Sequence, residues 1–72
     1  MDDAALAEFV DRAAAVGRAC TDIEDRRDFL ARLNRSLVDQ MTKAGFNLFE
    51  AGAKAGRIVD QVREKIVDGA DA

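Results

Sequence analysis

The chain has no histidine, tryptophan, tyrosine or proline, and a single cysteine among its 72 residues. Each absence closes a class of chemistry. General acid–base catalysis draws most often on histidine, and a cysteine nucleophile needs a neighbouring base to activate it. Cys20 has no such base, and its nearest cations in sequence are Arg18 and Arg26. One cysteine without histidine cannot complete a four-ligand zinc site or form an intramolecular disulfide. Without tyrosine or tryptophan, the aromatic stacking that holds single-stranded nucleic acid is reduced to four phenylalanines. With no proline, glycine and polar caps are left to end helices. No enzyme activity is expected, and no metal or cofactor.

Long apolar runs are also missing. None exceeds four residues, as in Ala13 to Val16, far short of the roughly 20 a membrane helix needs. The first residues, Met1-Asp2-Asp3, are acidic where an export signal is basic and then apolar. Together with the lone cysteine, this predicts a cytoplasmic location and no membrane contact. Charge of one sign is scarce as well: 11 Lys and Arg stand against 14 Asp and Glu, for a net charge of −3. A general nucleic-acid binder carries a basic footprint that this chain does not have.

What is present is helical. Of the apolar residues, 14 are Ala and only 18 are Leu, Ile, Val or Phe. A core so thin supplies about 3–5 kcal/mol in a chain this short, and natural proteins of this size add a staple. With disulfide and metal excluded, association with another chain is the staple that remains. A homodimer or higher oligomer is therefore expected, with another protein as a further partner.

Residues 1–72 read as a single small helical domain. A first helix is predicted over about 3–19, with Asp2 or Asp3 as its cap and a stripe of Leu6, Phe9, Val10, Ala13, Val16 and Cys20. A second is predicted over 22–44. It opens on Thr21-Asp22-Ile23-Glu24, the pattern of a capping box, and Gly45 stands where a terminating glycine belongs. Its stripe is Ile23, Leu30, Leu33, Leu37, Met41 and Ala44. A third is predicted over 47–68 from the cap Asn47, with Leu48, Ala51, Gly52, Ala55, Ile58, Val59, Val62 and Ile66 on one face. Five acid-before-base pairs at i,i+4 mark solvated faces: Glu8–Arg12, Asp22–Arg26, Asp28–Arg32, Asp39–Lys43 and Glu50–Lys54.

The first half supports a competing reading. The heptad positions Phe9, Val16, Ile23, Leu30, Leu37 and Ala44 are apolar without interruption, the mark of a coiled-coil seam. On that reading residues 3–44 form one helix, roughly 60 Å long, and 47–68 folds back along it. The fold class is all-α either way: an antiparallel helical hairpin or a three-helix bundle, completed by oligomerisation.

Function is sought in surfaces. Gly52-Ala53-Lys54-Ala55-Gly56 places small residues at the four-residue spacing that lets helices approach closely. Phe29 and Phe49 lie off the centres of their stripes, which implies a second buried surface. Phe29, Leu33, Leu37, Phe46, Phe49, Gly52, Ala55, Gly56 and Val59 are thus the candidate protein interface of an adaptor, accessory subunit or regulator acting through bundle completion. The alternative is a dimeric nucleic-acid-associated regulator using Arg26, Arg27, Arg32 and Arg35. It is disfavoured because Asp22, Asp25, Asp28 and Asp39 lie among those arginines. A helix-turn-helix hinged at Gly45 would also open its recognition helix on Asn47-Leu48-Phe49-Glu50, apolar and acidic against phosphate. A self-assembling structural protein is the third reading.

Overall fold

Three helices make up the chain in a computed structural model that describes residues 2–70, and side chains to residue 67. They are α1 (Asp3–Ala19), α2 (Ile23–Lys43) and α3 (Leu48–Ala70). The three-helix reading is therefore the correct one, and the single helix over 3–44 does not form. Two of its seam residues show why: Val16 is 53% exposed and Ile23 65%, so the heptad series is not a buried seam.

The break at Cys20–Asp22 has a local cause. Asp22, rather than Thr21, is the cap of α2, and its carboxylate accepts from the Glu24 backbone N–H at 2.9 Å. The cap thus lies one residue beyond the Thr21 expected from the capping-box pattern. A short acidic side chain that bonds backbone two residues ahead competes with helix continuation and favours a helix start. Cys20 is extended, and Arg26 reaches back to donate to the Gly17 and Cys20 carbonyl oxygens, each at 3.3 Å. Gly17 O also accepts from Cys20 N–H at 3.2 Å, so Arg26 adds a second donor there and supplies one to Cys20 O beyond the helix end.

The other caps follow the sequence closely. Asp2 accepts from Ala5 N–H at 2.7 Å, and Asn47 accepts from Glu50 N–H at 2.8 Å. At the end of α2, Gly45 adopts φ +110°. Phe46 N–H donates to Met41 O and Gly45 N–H to Thr42 O, both at 3.1 Å. Those two bonds are a Schellman motif.

α3 is the central element. It packs against both α1 and α2, while α1 and α2 touch each other much less. Gly17 lies against Ile66, and Leu6 shares a groove with Ile58, so α1 runs parallel to α3 and α2 antiparallel to both. The assembly is a slab of 38 × 27 × 14 Å. Its core joins Val10, Ala13 and Ala14 of α1 to Leu30 and Leu37 of α2 and to Ala55, Val59, Val62 and Ile66 of α3.

The stripe of α1 is rotated from the expected one. Ala14 and Gly17 are buried, and Val16 faces out. The reason is proximity: a Cβ on Gly17 would overlap Ile66 Cδ1 and lie 3.0 Å from Ile66 Cγ1. The smallest face of α1 has turned inward to let α3 approach. No helix among the described residues is long and apolar enough to cross a membrane.

Candidate functional site

α1 is graded in size along its length. Its inward residues are Ala13, Ala14 and Gly17 near the C-terminal end, but Leu6 and Phe9 near the N-terminal end. The small end sits tight on Ile66 and beside the α1–α2 connection, where Arg26 bonds the end of α1. At the opposite end α1 and α2 leave a groove of about 460 Å³. Leu6 and Phe9 come from α1, Leu37 and Met41 from α2, and Ile58 from α3, with Phe46 contributed by the turn. Leu37 is buried, and Leu6, Phe9, Met41 and Ile58 are half-buried, so they line the groove without being hidden in it.

The polar lining of the groove is Gln40, Gln61, Lys54 and Arg57, with no acidic residue. Lys54 Nζ stands 5.3 Å from the centre of the Phe46 ring, a cation–π distance. That placement explains why the expected Glu50–Lys54 pair is not among the ion pairs of the described residues. Those pairs are Glu8–Arg12, Asp39–Lys43, Asp60–Arg63 and Asp11–Lys65. Neither Lys54 nor Arg57 is in that set. Two cations therefore stand beside an apolar groove with no carboxylate paired to them.

Next to the groove the apolar surface continues along the chain. Phe46 is 39% exposed, Leu48 72% and Phe49 86%. An exposed Leu and Phe two and three residues beyond a groove-lining Phe form an apolar end to the slab. Single exposed apolar residues are ordinary, but a contiguous set is not.

The residues proposed as an interface separate into three groups. Leu37, Ala55 and Val59 are core residues of the chain itself, and Phe29 and Leu33 are half-buried against that core. The three-helix packing takes up the apolar surface of Leu37, Ala55 and Val59, and part of that of Phe29 and Leu33, which the sequence could not distinguish from packing against a partner. Phe46 and Phe49 are exposed at the α2–α3 end. Gly52 is exposed and Gly56 half-buried, and a Cβ on either would meet nothing within 4 Å. No other helix of the same chain approaches closely at those two glycines; the close approach within the chain is at Gly17.

Leu6, Phe9, Met41, Ile58, Lys54 and Arg57 are in the groove but were not singled out as contacts. The size gradient along α1 is the signal that could have found them, because a helix large at one end and small at the other packs as a wedge.

The arginine set is also divided. Arg26 is half-buried and committed to the Gly17 and Cys20 carbonyls. Arg27, Arg32 and Arg35 are exposed on α2. At about 100° per residue they share roughly 160° of arc with Glu24, Asp25, Asp28 and Asp39. With Lys43 on the same arc, four bases are matched by four acids, so the face has no net positive field to offer phosphate. No known protein family, characterised protein or solved structure matches the chain.

Proposed function

We propose that the chain is a protein–protein interaction module, an adaptor, accessory subunit or regulator that works by burying its apolar end against another protein chain. The observation that carries this reading is the exposed run of Phe46, Leu48 and Phe49 beside an apolar groove, in a molecule whose own core is small. Among the described residues, only Val62 and Ile66 of the large side chains are fully buried. Binding that covers more apolar surface adds what the isolated fold does not supply. Self-association belongs to the same reading, since a second copy offers the same apolar end. Its natural setting is the cytoplasm, where a lone thiol stays reduced.

The nucleic-acid reading has less support: Arg26 is bonded to backbone, and the other three arginines are interleaved with carboxylates.

The test is affinity capture of the whole chain from its source cells, beside Leu48→Asp and Phe49→Asp variants. Both positions are exposed, so both variants keep the helical fold, which circular dichroism verifies. A protein recovered in stoichiometric amount with the natural chain and lost with both variants supports the reading. Recovery of the chain alone, as a monomer at every concentration, refutes it.

A further inference from the structure

We infer that the groove between α1 and α2 receives an amphipathic helix from a partner protein, and that this helix carries acidic residues beside its apolar face. The inference rests on the interaction reading above and specifies the site and the chemistry of the partner.

Three observations carry it. The first is shape: α1 and α2 are held together at their connected ends by Arg26 and separate at their free ends, leaving α3 partly uncovered between them. That is the position of a fourth helix in a bundle, and a helix laid there meets Leu6, Phe9, Met41 and Ile58 through residues spaced three and four apart.

The second is charge. Lys54 and Arg57 lie three residues apart on one flank of α3 and are unpaired among the described residues. Gln40 and Gln61 complete the polar lining, and no carboxylate joins them. In a chain of net charge −3 the charged residues that line the groove are thus cationic, complementary to acidic flanks, while Glu50 and Glu64 on the same flank of α3 lie outside the lining. The same residues disfavour a second copy docked groove to groove, which would bring four cations together.

The third is extent. Phe46 lines the groove, and the exposed Leu48 and Phe49 follow it in the chain, so apolar surface is present beyond the groove as well as in it.

The experiment uses the whole chain as bait for a displayed library of 16-residue amphipathic helices. All share a leucine face, and the flanking positions vary freely between Asp or Glu and Lys or Arg. The expected result is enrichment of acidic flanks on the natural chain and a reversal to basic flanks on a Lys54→Glu, Arg57→Glu variant. A selected acidic peptide should bind that variant about tenfold more weakly, and the natural chain should lose affinity for it as salt rises. Both substituted residues are exposed, so the variant tests the charge of the groove rather than the fold.

Enrichment without charge preference overturns the inference, and so does failure to enrich any helix. Binding that ignores the double variant but vanishes with Phe49→Asp also overturns it, by placing the contact on the exposed turn, while leaving the wider interaction reading standing. Dodecanoate occupying the groove with no helix enriched overturns it in favour of a small amphiphile. Capture from cells, read separately, decides whether the wider reading falls as well.

Discussion

Replacing Gly17 with alanine adds one methyl group at the tightest point of the molecule. The new Cβ would overlap Ile66 Cδ1, lie 3.0 Å from Ile66 Cγ1 and reach to 3.5 Å of Phe29 Cε2. Ile66 is fully buried, so its Cδ1 has to shift within the packed interior. Overpacking of this kind costs about 1–3 kcal/mol. Against it stands the gain of alanine over glycine in a helix, about 1 kcal/mol. Gly17→Ala should therefore destabilise the chain by about 1 kcal/mol.

Ile66→Val removes the overlapping Cδ1 and by itself costs about 0.5–1.5 kcal/mol. In that background Gly17→Ala should become neutral or stabilising. The two changes then couple by about 1–3 kcal/mol, well outside the additivity expected of independent sites. Urea denaturation of the four proteins, followed by far-ultraviolet ellipticity, closes the cycle. An equal effect of Gly17→Ala in both backgrounds would falsify the claim that Ile66 occupies the space above Gly17.

Two other helical glycines should respond with the opposite sign. Gly52→Ala and Gly56→Ala meet nothing within 4 Å, so each should stabilise by about 0.5–1 kcal/mol in the same denaturation assay. Gly45→Ala forces a side chain onto φ +110° and should cost at least about 1 kcal/mol, with the loss read as a lower urea midpoint. Asp22→Ala removes the cap of α2 and should cost about 0.5–2 kcal/mol, whereas Asp22→Asn keeps the acceptor and should cost less. If Thr21→Ala proves the more damaging change, the cap has been misplaced.

The sequence carried most of the fold because its signals are local. Asp2, Asn47 and Gly45 act within one turn of themselves, so their side-chain chemistry places the helix ends without reference to the rest of the chain. The ambiguity at Thr21–Asp22 had a physical source. Phe9, Val16, Ile23 and Leu30 keep a seven-residue spacing across the break, and periodicity alone cannot register that Asp22 bonds the backbone ahead of it. Arg26 settles the matter by a contact nine residues back, to Gly17 O, which no spacing rule anticipates.

The candidate surface was less legible for a related reason. A core residue such as Val59 and a partner-facing residue such as Phe49 are both apolar on a helix, and only packing separates them. Gly17 and Gly52 pose the same problem: each is a glycine on an apolar stripe, yet one is covered by Ile66 and the other is open.

The central claim is that the exposed end of the slab is covered by another protein chain when the molecule works. A photo-reactive benzoylphenylalanine in place of Phe49, irradiated in the source cells, tests it most directly, with the same group at exposed Ala31 as the control. The account requires a covalent adduct to a protein, either a second copy or a different chain, formed from position 49 and not from position 31. No adduct at position 49, or the same adducts from both positions, would contradict it.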